Sequence, residues 1–168
     1  SEISELVPNQ RVDLGLGYVP QGREIFSDLS IDENLRIGES GEDKSNLVIS
    51  RSDIFQIFPV LKQMLNRRGG DLSGGQQQQL SIARALMTNP TILILDEPTE
   101  GIQPSIVTDI RSLIFELKGK FTIILIEQYI EFAKAVCDDY IVLARGEICA
   151  SGSRESLNSE IESQFLKV

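Results

Sequence analysis

The sequence predicts an α/β protein with a parallel-sheet core, residues 1–29 and 90–168, and a helical subdomain inserted at 30–89. Three observations lead there. Short apolar runs at 91–95 and 121–126 alternate with amphipathic helical stretches, the pattern of strands joined through helices. The second run is nearly continuous and rich in β-branched residues, which predicts a strand buried on both faces. Between Ser30 and Asn89 the periodicity is helical throughout.

Along the chain, residues 1–11 are polar and contain Pro8, so a loop or short helix is expected. A short strand follows at 14–19, ended by Pro20, Gln21 and Gly22. Ser30 and Glu33 have the spacing of a capping box and start a helix. Residues 38–45, charged and glycine-containing, read as a loop. Ser52 is the expected cap of a helix at 53–58, which Pro59 interrupts before a second helical stretch at 60–65. Ile54, Phe55, Phe58, Leu61 and Leu65 give that pair an apolar stripe that reads as core. Arg67, Arg68, Gly69, Gly70 and Asp71 read as a flexible lead-in with a solvated basic spot. Ser73 and Gln76 form another capping box, and Leu80, Ala83 and Leu86 or Met87 share one face of the helix it opens. Pro104 fits the first turn of a helix that reaches about residue 118, where Gly119 ends it. A short helix at 130–136, a hairpin of 140–144 and 147–150 around Arg145 and Gly146, and a polar terminal helix over 151–168 complete the expectation.

Two stretches carry chemistry. Leu72, Ser73, Gly74, Gly75 and Gln76 open a helix with small residues, so backbone N–H groups and the positive end of the helix dipole are open to a phosphate. The run Thr91 to Leu95 ends in Asp96 and Glu97, followed by Pro98 and Thr99; an acid at a strand's end suits Mg²⁺ and its nucleotide. A glycine-containing loop before a buried helix is the plain alternative for the first stretch alone.

Composition limits the rest. The 168 residues suffice for a sizeable core, with 41% hydrophobic and 24% charged residues. A net charge of −9 argues against nonspecific nucleic-acid binding. Cys137 and Cys149 are the only cysteines and there is no histidine, so a zinc site is not expected. No apolar run approaches the roughly 20 residues of a membrane span, and no signal-peptide pattern opens the chain.

The combination of LSGGQ, one helix, an apolar strand and then DEPT resembles the ATP-binding subunit of ABC transporters over essentially the whole chain. Residues 18–26, 67–79, 96–105 and 127–129 are similar to the Q-loop, signature, Walker B with D-loop, and switch regions of that family. Within it these stretches together resemble the second ATPase subunit of urea-type importers. The related branched-chain amino-acid importers have Pro-Glu where Pro20 and Gln21 stand here, and a branched-chain amino-acid importer ATPase is the alternative.

The resemblance implies a P-loop NTPase fold and roles for particular residues. Asp96 binds Mg²⁺ and Glu97 polarises the attacking water. Gln21 senses the γ-phosphate and the metal. Ser73, Gly74, Gly75 and Gln76 contact ATP held by an opposite subunit, and Gln128 occupies the switch position. It also implies a second ATP-binding subunit, transmembrane permease subunits, an extracytoplasmic substrate-binding protein met indirectly, and a peripheral location at the cytoplasmic face of the membrane. Two positions depart from the family pattern: Gln128 replaces the switch histidine, and the D-loop aspartate is absent from residues 101–104. Gln128 can donate a hydrogen bond but does not titrate near neutral pH.

No G-x-x-x-x-G-K-[ST] occurs in the sequence. The chain is therefore expected to be a C-terminal fragment of such an ATPase, with the N-terminal β part and phosphate loop missing. By itself it is expected to bind Mg-ATP poorly, and its incomplete sheet is expected to lead either to self-association or to a rearranged packing. A non-catalytic interaction module that donates only a signature motif is a second reading. ABC ATPases of DNA repair share both motifs, but the heptad runs of their coiled coils are absent here.

Overall fold

The computed structural model describes residues 2–39 and 48–157. The chain divides into two compact units, 1–126 and 127–168.

The first unit is organised by a three-stranded parallel sheet in the order β1 (Leu16–Val19), β2 (Ile92–Asp96), β3 (Thr122–Ile126). Its register aligns Gly17, Leu93 and Ile123, then Val19, Leu95 and Leu125, on one face. Val19, Leu93 and Leu95 are fully buried there. The other face carries Tyr18, Ile94, Ile124, Asp96 and Ile126, with Ile124 and Ile126 nearly half exposed. The expectation that 121–126 is buried on both faces is thus corrected. An unbroken apolar run cannot report which face receives a covering layer.

Helix α1 (Pro8–Asp13) begins on a proline, whose missing N–H leaves no intrahelical bond unmade. Between β1 and β2 every described element is helical: α2 (Ile31–Gly38), α3 (Arg51–Ile57), α4 (Pro59–Gln63), a 3₁₀ turn at Gly69–Asp71, and α5 (Gly74–Leu86). Ser30 and Glu33 form the expected capping box on α2. Ser50, not Ser52, caps α3, with Asp53 as its reciprocal partner; Ser52 instead hydrogen-bonds Ser50 Oγ at 2.7 Å. Both serines precede an acid, and the choice falls to the one three residues before Asp53. Arg51 then ties α3 to α2 through Asp32 and Glu39.

Residues 67–71 are less free than expected. Gly69 N–H bonds Leu29 O and Gly70 N–H bonds Ser27 O, both at 2.9 Å, so the segment before α5 is fastened to the turn before α2. Helix α5 packs against α2, α4 and β1. Its Leu80, Ile82 and Leu86 are fully buried, each contributing about 1.5–3 kcal/mol relative to exposure. Helix α6 (Pro104–Leu117) adds Ile110, Leu113, Ile114 and Leu117 to the core.

In the second unit, α7 (Ile130–Val136) precedes an antiparallel hairpin of β4 (Asp139–Ala144) and β5 (Glu147–Ser153). Arg145 at φ 54° and Gly146 at φ 82° are both left-handed, the geometry of a tight hairpin turn. Residues 151–153 extend β5 and Arg154–Ser156 form a 3₁₀ turn, so the expected terminal helix does not start at 151. Its part beyond 157 lies outside the described residues, as does most of the expected loop at 38–45, whose first residue is the last of α2.

Asn34 holds the chain beyond β1 in place. Fully buried, it accepts from Phe26 N–H and donates to the carbonyls of Phe26, Leu29 and Ser30 at 2.9–3.3 Å. Asn34→Ala removes all four bonds and leaves a buried gap, and chemical denaturation is expected to show a loss of about 2–4 kcal/mol.

Candidate functional site

Parallel strands end together, so the carboxyl edge of the sheet collects whatever follows each one. With Val19 opposite Leu95, the turn at 20–22 lies beside Asp96 and Glu97. Gln21 Nε2 donates to Glu97 Oε2 and to Glu100 Oε2, each at 3.0 Å. One amide therefore holds two carboxylates and offsets their mutual repulsion. Its carbonyl oxygen is the complementary acceptor end of the same group.

Glu97 N–H continues the ladder by bonding Ile126 O at 2.9 Å, after which the backbone turns left-handed at φ 44°. That conformation costs a non-glycine residue roughly 1–2 kcal/mol and recurs at sites where a side chain must be aimed. Here it belongs to the acid that faces Gln21.

Asp96 is held differently. Tyr18 pairs with Ile94, so Tyr18 and Asp96 are diagonal neighbours on the same sheet face. Tyr18 Oη donates to Asp96 Oδ2 at 3.0 Å. Desolvation and then the bond to Asp96 raise the tyrosine pKa above its ordinary value.

The start of α5 has the expected cap: Ser73 Oγ accepts from Gln76 N–H at 3.4 Å, and Gln76 Oε1 accepts from Ser73 N–H at 3.0 Å. Gly74 and Gly75 supply first-turn N–H groups for which a helix has no internal acceptor. Close packing explains the glycines. A Cβ on Gly74 would lie 3.1 Å from Arg23 Nη1, and one on Gly75 would lie 2.8 Å from Ile106 Cγ1. Arg23 also donates from Nη2 to Glu100 O at 3.3 Å. A guanidinium thus rests on the tip of α5 and reaches the turn after Glu97.

Of the residues singled out from sequence, Gln21 and Glu97 meet directly, and Asp96, Ser73, Gly74, Gly75 and Gln76 lie in the same unit. Gln128 belongs to the second unit, between β3 and α7. Tyr18, Arg23 and Glu100 were missed. The two-residue parity of paired strands pointed to Tyr18, and the three-residue spacing from Glu97 pointed to Glu100. Arg23 left no signal, because its partners are 51 and 77 positions away, at Gly74 and Glu100.

The donor set suits a hard cation and phosphate: carboxylate and amide oxygens at the strand ends, backbone N–H groups at a helix start. Among the described residues no three His, Cys, Asp or Glu are grouped to hold a metal alone. Mg²⁺ is commonly held by one or two carboxylates together with water and phosphate oxygens.

A parallel sheet with paired acids at its carboxyl edge, flanked by a glycine-opened helix, defines an α/β domain of the nucleotide-handling class. The chain belongs to the ABC transporter family, whose description matches residues 3–100. It is 36% identical over 154 residues to the high-affinity branched-chain amino acid transport ATP-binding protein BraG of Pseudomonas aeruginosa, covering 90% of this chain and 66% of that protein. It is 34% identical over 158 residues to the probable branched-chain amino acid transport ATP-binding protein LivF of Archaeoglobus fulgidus, covering 93% and 67%. Among solved structures, a nucleotide-free ATP-binding cassette from an ABC transporter superposes with a TM-score of 0.71 at 30% identity, covering 91% and 66%. The chain thus spans about two thirds of the length of these relatives, and its fold is that of the ABC ATPases.

Replacing a helical glycine by alanine ordinarily stabilises a helix by up to about 1 kcal/mol. At Gly75 the sign is expected to reverse, with Gly75→Ala losing about 1–3 kcal/mol through overpacking against Ile106. Thermal denaturation of Gly75→Ala, with and without Ile106→Ala, is expected to show less loss in the double variant than the two single losses summed.

Proposed function

We propose that the protein serves as an ATP-binding subunit of an ABC importer of the branched-chain amino-acid type. The observation that carries this is the joining of two motifs in one unit: Arg23 rests on Gly74 at the tip of α5 and donates to Glu100 beside Glu97. Both relatives named above are branched-chain amino acid transport proteins, which favours that substrate over the urea expected from Pro20 and Gln21. A change at one site residue is weaker support for a substrate than likeness along the chain.

In this reading Asp96, oriented by Tyr18, and the carbonyl oxygen of Gln21 hold Mg²⁺. Glu97 takes up proton density from the attacking water while Gln21 fixes its carboxylate. Mg-ATP supplies the phosphoryl group and the cation that offsets its charge. Ser73, Gly74, Gly75 and Gln76 donate to phosphate held by a second ATP-binding subunit. Gln128 is assigned a hydrogen-bonding role at the switch position on the resemblance alone. The 30–89 segment acts as a helical subdomain within the α/β core. Among the described residues no helix is long and apolar enough to cross a membrane. In this reading, by likeness to the family, attachment to the membrane runs through permease subunits.

The test uses the α5 tip. No G-x-x-x-x-G-K-[ST] lies within these 168 residues. Calorimetry is therefore expected to find weak Mg-ATP binding by the chain alone. Mixed with BraG and Mg-ATP, the chain is expected to associate only when nucleotide is present, and Gly75→Asp is expected to weaken that association at least about tenfold. Association indifferent to ATP or to Gly75→Asp overturns the reading.

The open sheet face at Tyr18, Ile124 and Ile126 supports self-association at high concentration. Sedimentation velocity is expected to show a concentration-dependent species that Ile124→Lys removes.

A further inference from the structure

The turn that follows Gln21 is held in an unfavourable backbone shape from outside. Arg23 and Glu24 are consecutive left-handed residues, at φ 75° and 40°. Neither is glycine, and both are among the residue types that rarely adopt this region. Local hydrogen bonds alone are modest: Arg23 N–H reaches Pro20 O at 3.2 Å and Glu24 N–H reaches Gly22 O at 2.9 Å. A turn of this kind persists only where its surroundings determine it.

Those surroundings are two side chains one helical turn apart on α5. Ser81, almost fully buried, donates from Oγ to the Arg23 carbonyl at 2.6 Å. Arg84 donates from Nη2 to the Glu24 carbonyl at 2.8 Å, and its guanidinium lies 4.9 Å from the centre of the Phe26 ring. Residues three apart on a helix share a face, so one face of α5 grips two successive carbonyls. Burial draws the Arg84 pKa down, consistent with a group withdrawn from water to reach the turn. From the other side, the Arg23 side chain touches Gly74 at the start of the same helix. The turn is fastened to α5 at three positions along its length.

We infer that Ser81 and Arg84 are positioning residues for Gln21: they lock the 22–24 turn to α5, so that the Gln21 amide is presented to Glu97 and Glu100 only while α5 keeps its seat. Neither side chain touches the acids; both act through the backbone of Arg23 and Glu24. The bearing of this lock on catalysis rests on the importer reading above, whereas the lock itself does not.

The test is made on the full chain without nucleotide, by ¹⁵N NMR. Ser81→Ala is expected to speed amide exchange at Arg23 and Glu24 about tenfold and to move the Gln21 side-chain NH₂ pair toward its free position, with exchange in β2 and β3 unchanged. Ser81→Thr, which keeps the hydroxyl, restores both signals. Arg84→Gln is expected to give the same pattern centred on Glu24, and it serves alone if Ser81→Ala does not fold. A lower melting temperature with the Gln21 pair and the two amides unmoved overturns the inference, as does faster exchange spread evenly over the unit. Association with BraG that is indifferent to Mg-ATP counts against the importer reading alone and leaves these signals as they are.

Discussion

Parallel pairing of β1 with β2, in the register that sets Val19 against Leu95, is the constraint on which the site depends. Because the strands run the same way, both leave the sheet at one edge, and the residues after each arrive together. Gln21 then has two carboxylates within reach, and Tyr18 has one. A slip of one residue would send Tyr18 to the buried face and remove the hydrogen bond to Asp96. The buried side chains Val19, Leu93 and Leu95 fix the register, so the core on one face sets the chemistry at the edge.

A second feature is the concentration of uncomfortable backbone around that edge. Among the described residues, three of the five non-glycine residues with positive φ are Arg23, Glu24 and Glu97. All lie in segments that follow a strand and carry or adjoin a candidate site residue. Glu97 is held by its bond to Ile126, and the 23–24 turn by side chains from α5. Strain of this sort is maintained by packing elsewhere, which links the geometry of the acids to the seating of a helix.

Much of the local structure was legible in the sequence because it is short-range. The capping boxes at Ser30 and Ser73, the proline start of α6 and the turn at Arg145 and Gly146 each depend on residues within four positions of one another. The misses share the opposite character. The 67–71 segment looked free because Leu29 and Ser27, its partners, lie some forty residues earlier; β3 looked doubly buried because an apolar run does not reveal what covers it. The substrate likeness was drawn from Gln21, whereas the agreement with BraG and LivF is spread along the chain.

The sequence by itself determined the positions of the parallel strands, most of the helix starts, the acid pair and the glycine tip, and with them the family, since these are patterns of neighbouring residue types. Tertiary structure alone decided that Arg23 rests on Gly74, that Ser81 and Arg84 grip the turn after Gln21, and that one amide serves two carboxylates. Those contacts join residues separated by 51 to 79 positions, and only the sheet register and the seat of α5 bring them within hydrogen-bonding or packing range.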